Sequence, residues 1–301
     1  MSEQRSETVV VVGAGLMGSG IAHAFAAAGF AVKLVDTRTE ALQKAKGDIE
    51  RILTEGVRLG KVDQDRARSA IERLSVHERL AEAADGADVL VETVSEQLAV
   101  KTAVVSQAEP LLAPGAIIAT NTSALSVTQI AASLRQPERL IGMHFFNPVH
   151  KMKLVELVRG LATSDDTLVR SQGLCQAIGK TSIVVNESPG LTTSRMSALL
   201  GNEAMYMLQE GTATAEDIDT ALRLGFNHPM GPLELGDLTG WDTRLAVLHY
   251  LHQTLGEKFR PCPLIIKMVA AGRLGRKTGQ GVYRYEDGQR VPGSGLKAGV
   301  A

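Results

Sequence analysis

Five β-branched residues, TVVVV at Thr8–Val12, run directly into GAGLMGSG, and the next apolar run is closed by the acidic Asp36. No other stretch restricts the possible folds so strongly. An apolar run without polar alternation reads as a strand buried on both faces, the condition of parallel strands covered by helices. Gly13, Gly15 and Gly18 form G-x-G-x-x-G between that strand and a small-residue helix expected over residues 17–28. Gly13 permits the tight turn, Gly15 lets a pyrophosphate approach the backbone, and Gly18 lets the helix pack close to the strand. The helix start, with Leu16 and Met17, offers free N–H groups and the positive end of the helix dipole to phosphates. The Asp36 carboxylate suits the ribose hydroxyls of the adenosine half and repels a 2′-phosphate, so NAD is expected rather than NADP; Arg38 nearby works against that preference.

The first 185 or so residues alternate strands and helices. Further strands are expected in AVKLVD (31–36), ADVLVET (87–93), GAIIAT (115–120), RLIGMHFF (139–146), LVELV (154–158) and TSIVV (181–185). Such alternation predicts an α/β fold: a Rossmann-like, mostly parallel sheet covered by helices. Residues 39–73 interrupt it as a charged, helix-prone insertion of two helices with a turn near Gly60. At ESPGL (187–191) the texture changes, because Ser-Pro-Gly breaks regular structure. Helical patterns follow at 191–209, 215–224, 233–255 and 264–271. The expected organisation is a nucleotide-binding domain over 1–187, an all-α domain for substrate and dimerisation over 188–286, and a loose Gly/Ser/Pro-rich tail over 287–301.

Bulk properties exclude several classes. The net charge of −1 argues against bulk nucleic-acid binding. The two cysteines, Cys175 and Cys262, lie too far apart in sequence to suggest a disulfide framework or a metal site. No signal-peptide pattern and no apolar run of transmembrane length is seen, so a cytoplasmic protein is expected, without a membrane partner.

The segment GMHFFNPVHKMKLVE (142–156) concentrates the candidate chemistry. His144 lies near a strand end, where ligands bind in open α/β sheets. A nicotinamide accepts hydride but not the proton of an alcohol, so a base is needed, and histidine suits that task near neutral pH. Glu156 can orient the ring and stabilise its charged form if the turn at Pro148 returns the second strand beside the first. His150 reads as a structural or surface residue. In ATNTSALS (119–126), Asn121 and Ser123 can donate hydrogen bonds to a carbonyl or hydroxyl, although such a run also serves as a helix cap with a polar turn.

Taken together, GAGLMGSGIAHAFAAAGF, ETVSEQLAVK, NTSALSV, GMHFFNPVHKMKLVE, GFNHPMGPLELGDLTG and GRLGRKTGQGVY resemble the L-3-hydroxyacyl-CoA dehydrogenase family, in particular its short 3-hydroxybutyryl-CoA dehydrogenase branch. The resemblance runs from Val9 to about Tyr285. It implies a helical C-terminal domain through which a homodimer forms, an acyl-CoA substrate, and reversible oxidation of a (3S)-3-hydroxyacyl-CoA with NAD. It makes His144 the base and Glu156 its partner, puts Ser123 on the substrate's 3-oxygen, and gives Asn147 a place beside substrate and cofactor. Glu96 and Lys101 match positions near the nicotinamide ribose. The helices after Asp36 would cover the CoA moiety, with Lys61 a candidate phosphate contact, although the residues alone favour a solvated lysine beside a turn. Ser194, before Arg195, stands where the family commonly has asparagine; a serine reaches less far and offers fewer hydrogen-bonding atoms. Ser95 and Gln97 beside Glu96 also stand where other members often carry different side chains, and these departures leave substrate choice open, so L-gulonate or carnitine dehydrogenases of the same fold stay as rivals. Two others are the β-hydroxyacid dehydrogenases, which generally use a lysine, and a non-catalytic NAD-binding descendant of the fold. Acyl chain length is not written in the sequence.

Overall fold

The computed structural model describes residues 7–299. The chain divides after Ser188 into two compact units.

In the first unit β1 (Thr8–Val12), α1 (Leu16–Ala27) and β2 (Ala31–Val35) open the sheet, followed by α2 (Thr39–Arg58), α3 (Gln64–Glu72), β3 (Leu74–His77) and α4 (Leu80–Ala84). Then come β4 (Val89–Glu92), α5 (Leu98–Ala108), β5 (Ile117–Thr120), α6 (Val127–Ala131), β6 (Leu140–Phe145), β7 (Leu154–Arg159), α7 (Asp165–Ala177) and β8 (Thr181–Asn186). The strand order is β3-β2-β1-β4-β5-β6-β7-β8. Every neighbouring pair is parallel except β6 with β7. The central strands β1, β4 and β5 are buried along nearly their whole length, which is why their sequences show no alternation.

Residues 39–73 form two helices joined at Gly60, whose φ of +65° suits glycine. Leu42, Ala45, Ile49 and Leu53 line one face of α2 at helical spacing and join the core of the sheet together with Ala67 and Ala70 of α3. The edge strand β3 was not expected: LSVH is short, flanked by charges and half exposed, so it lacks the pattern of a buried strand.

The second unit contains α8 (Thr193–Glu210), α9 (Ala215–Gly225), α10 (Pro232–Thr239), α11 (Trp241–Leu255), α12 (Pro263–Ala270) and a small hairpin, β9 (Tyr285–Glu286) with β10 (Gln289–Arg290). The expected single helix over 233–255 is two. Gly240 lies between them at φ +95°, which no continuing helix allows, and the Trp241 indole packs against Gly236, where a Cβ would stand 2.3 Å from it.

The tail expected to be loose over 287–301 is held instead as far as residue 299; residues 300 and 301 lie outside the described residues. Gly295 donates its N–H to Glu216, Leu296 to the Val282 carbonyl and Gly299 to the Leu208 carbonyl. Its Gly, Ser and Pro residues serve tight turns here rather than disorder. The preceding GQGVY segment is gathered on the buried Asp237, which accepts from Trp241 Nε1 at 2.6 Å, Val282 N at 2.8 Å, Tyr283 N at 2.9 Å and Tyr285 Oη at 3.1 Å. Gly275 and Gly281 lie so close to Asp237 that a Cβ on either would stand within 2.2 Å of it. Among the described residues no helix is long and apolar enough to cross a membrane, and no group of acidic, His and Cys side chains could hold a metal ion.

Candidate active site

Because β1, β2, β4, β5 and β6 are parallel, their carboxyl ends share one edge of the sheet. Gly13 follows β1, Asp36 follows β2, Glu92 closes β4, Asn121 follows β5 and His144 is the penultimate residue of β6. Every first-unit residue singled out from the sequence for cofactor or chemistry, except Lys61, belongs to this edge or to the loop, turn, strand or helix directly after it.

The three glycines of the turn do different things. A Cβ on Gly18 would lie 1.7 Å from the Gly13 carbonyl oxygen, and one on Gly13, at φ +104°, 2.9 Å from Thr93. A Cβ on Gly15 would meet nothing within 4 Å. Packing therefore demands glycine at 13 and 18 but not at 15, where the bare backbone faces open space. Gly15 is also the residue before α1, and no side chain caps that helix, so the N–H groups of Leu16 and Met17 have no side-chain acceptor. Thr93 locks the turn by donating its hydroxyl to the Val12 and Gly13 carbonyls at 2.9 and 3.0 Å. The Asp36 carboxylate, 12% exposed, accepts from Ala14 N at 2.9 Å and Arg38 N at 3.0 Å. An open glycine before an uncapped helix, with a carboxylate ending the next strand, fits the pyrophosphate and ribose of a dinucleotide.

At β6 the antiparallel return of β7 sets His144 directly opposite Glu156. Cross-strand partners lie close enough for side chains to meet, and here His144 Nδ1 stands 2.7 Å from Glu156 Oε2, with Glu156 fully buried. A carboxylate accepts, so Nδ1 carries the proton and Nε2 presents its lone pair. Ser123 Oγ stands 3.0 Å from that Nε2, and the Phe146 ring tilts against the imidazole at 4.7 Å. Asn121 Oδ1 accepts from Phe145 N at 2.9 Å, which ties the loop after β5 to the end of β6. Asn147 is exposed on the turn that follows β6. His150 is also exposed, edge-on to His23 at 6.2 Å.

Glu96 is exposed and accepts from Ser123 N at 3.0 Å. Lys101 is wholly buried, with its ammonium on Glu92 at 2.9 Å and on the Asn121 carbonyl at 3.1 Å, so it presents no surface of its own to a ligand. Burial pushes the Glu92 carboxyl above its ordinary range, opposed by the Lys101 charge, the Thr120 hydroxyl and the Val94 N–H. Glu92, Thr93 and Thr120 were not found from the sequence. The available signal was an acid closing the buried run VLVE, where nothing apolar is gained. Lys61 is exposed beyond α2, and Ser194 lies half-buried in the first turn of α8 in the second unit.

This fold and site define an NAD-dependent oxidoreductase. The chain belongs to the 3-hydroxyacyl-CoA dehydrogenase family: residues 8–188 match the model of that family's NAD binding domain and residues 190–285 that of its C-terminal domain. It is 44% identical to a probable 3-hydroxybutyryl-CoA dehydrogenase of Bacillus subtilis, over 93% of this chain and 97% of that protein. It is 43% identical to a 3-hydroxybutyryl-CoA dehydrogenase of Bradyrhizobium diazoefficiens, over 94% and 97%. Among solved structures, an (S)-3-hydroxybutyryl-CoA dehydrogenase from Ralstonia eutropha matches with a TM-score of 0.90 and 41% identity, covering 94% of this chain and all of that one.

Proposed function

We propose that the protein reversibly oxidises short-chain (3S)-3-hydroxyacyl-CoA, 3-hydroxybutyryl-CoA foremost, to the 3-oxoacyl-CoA. The observation that carries this reading is the line Ser123 Oγ, His144, Glu156 at the sheet edge that also holds the glycine turn. NAD, when bound, supplies the hydride acceptor. Gly15, the N–H groups of Leu16 and Met17, and Asp36 hold its pyrophosphate and adenosine ribose, and Glu96 faces the nicotinamide ribose. His144 Nε2 takes the proton of the 3-hydroxyl. Glu156 keeps Nδ1 protonated and offsets the charge the ring acquires. The Ser123 hydroxyl donates to the 3-oxygen, a bond that strengthens as negative charge develops there in the reverse reaction. Asn121 fixes the loop that carries Ser123, and Asn147 positions substrate beside the cofactor. Lys61 reaches a CoA phosphate.

The test is NADH formation across a chain-length series of (3S)-3-hydroxyacyl-CoAs, with L-gulonate, carnitine and NADP as controls. The expected maximum in kcat/KM falls on 3-hydroxybutyryl-CoA with NAD. Turnover of L-gulonate or carnitine and of no acyl-CoA would refute the reading; a preference for NADP would refute the role of Asp36.

The protein works in the cytoplasm as a homodimer built on its helical unit. The support for assembly is the exposure of Met196, Leu224, Phe226, Leu238 and Ile266 on that unit, more apolar side chains than a lone surface needs. Cys175 and Cys262 are both free and buried, which suits a reducing compartment. Sedimentation should give twice the mass of the chain, and a single-chain mass at micromolar concentration would exclude the dimer.

A further inference from the structure

Behind the His144 site lies a charged pair that the chemistry above does not use. Glu92 and Lys101 are both wholly buried, and the ammonium stands 2.9 and 3.1 Å from the two carboxylate oxygens. Glu92 also accepts from Val94 N and from the Thr120 hydroxyl, each at 2.6 Å. The other bonds of Lys101 lead toward the site. It donates to the Asn121 carbonyl at 3.1 Å and to the Val94 carbonyl at 3.4 Å, and it faces Glu96 Oε2 at 3.3 Å. Glu96 in turn accepts from Ser123 N at 3.0 Å and from the Thr122 hydroxyl.

A buried ion pair is a poor source of stability. Desolvating two charges offsets most of their attraction, and an apolar pair of similar volume often serves as well. What such a pair supplies is fixed geometry. The partners of this one are the end of β5, the Asn121–Ser123 loop, and the Val94–Glu96 segment between β4 and α5. Ser123 is itself exposed, and the hydrogen bond that anchors its backbone is the one its N–H donates to Glu96, while its hydroxyl meets His144 Nε2.

We infer that Glu92 and Lys101 are positioning residues for the reaction. They hold Glu96 and the 121–123 loop so that the Ser123 hydroxyl stands at hydrogen-bond distance from His144 Nε2. Neither touches substrate, and the effect of both passes through Ser123. The inference rests on the role given to Ser123 above.

The experiment places the charge-balanced pair Glu92→Gln/Lys101→Met in the wild-type and the Ser123→Ala backgrounds. It measures kcat with 3-hydroxybutyryl-CoA and NAD, with circular dichroism and thermal melting as the check on folding. In the wild-type background the pair should lower kcat about tenfold or more, since displacements on the order of 1 Å at a reacting group cost up to about a hundredfold. In Ser123→Ala the same change should cost less than about twofold, because residues acting as a unit do not add. An equal factor in both backgrounds, or an unchanged kcat in the wild-type background, overturns the inference while leaving the role of Ser123 intact. Full activity in Ser123→Ala alone overturns that role, and the inference with it. If the pair variant does not fold, Thr120→Val removes one donor to Glu92 at nearly constant volume. It should lower kcat by about two- to fivefold, the scale of one hydrogen bond, in the wild-type background only; equal loss in both, or none, overturns the inference.

Discussion

His144 meets two partners at once, Ser123 at Nε2 and Glu156 at Nδ1. The two contacts make different demands. Nε2 must hold a free lone pair to take a proton, and Nδ1 must keep its own, which only a buried acceptor opposite it secures. Loss of a positioned base costs roughly 10²–10⁴ in rate. His144→Gln should therefore lower kcat by that factor while NADH still binds, because the glycine turn and Asp36 are untouched. Glu156 has no ring to orient once His144 is gone, so the double variant with Glu156→Gln should be about as slow as His144→Gln alone. The measurement is kcat for the four proteins, with NADH binding as the control for folding. Multiplicative losses would mean that Glu156 acts on something other than the imidazole.

At the scale of elements, the turn from β1 into α1 separates packing from binding among residues of one type. A Cβ at Gly18 would collide with the Gly13 carbonyl at 1.7 Å, whereas one at Gly15 would meet open space. Gly15 has an ordinary extended backbone, φ −73° and ψ −171°, so alanine fits there without strain. Gly15→Ala should leave the melting temperature within a degree or two of wild type, since nothing is displaced, and weaken NADH binding about tenfold by keeping the pyrophosphate off the helix N–H groups. Gly18→Ala should destabilise the fold by about 1–3 kcal/mol as an overpacked contact. Thermal melts and NADH titration of both variants check this. Equal stability loss in the two would show that the glycines share one packing role.

The stability of the whole molecule carries a pH dependence that no motif announces. His23 of α1 is largely buried, its Nδ1 has no partner among the described residues, and burial, then the His150 and Lys180 charges, lower its pKa from 6.5 to about 4. Between those values the unfolded chain binds a proton that the folded chain refuses, so stability falls as pH drops from 6.5 toward 4. The slope from one such group approaches about 1.4 kcal/mol per pH unit. In His23→Leu, denaturant unfolding across this window should lose that part of the slope. An identical pH dependence in variant and wild type would show that His23 is not its source.

Sequence alone carried what local patterning and short spacings encode. The valine run, the glycine turn and Asp36 announced a dinucleotide-binding α/β fold, because a buried parallel strand and a phosphate-binding turn each need particular residue types at contiguous positions. His144 and Glu156 were legible as candidates for the same reason: they lie near each other in the chain, on two strands joined by a turn. Tertiary structure decided the rest. The edge strand β3 exists because β2 offers it a ladder, not because LSVH is strongly patterned. The break at Gly240 goes with the Trp241 indole packed on Gly236. The GQGVY segment is gathered on Asp237, whose partners at 282, 283 and 285 are distant in sequence, and the C-terminal segment is pinned by Glu216 and the Leu208 and Val282 carbonyls. Glu92 read as one acid at the end of a strand until folding brought Lys101, Thr120 and Val94 around it. A buried charge takes its meaning from what surrounds it, and those surroundings come from separate elements that only the folded chain brings together.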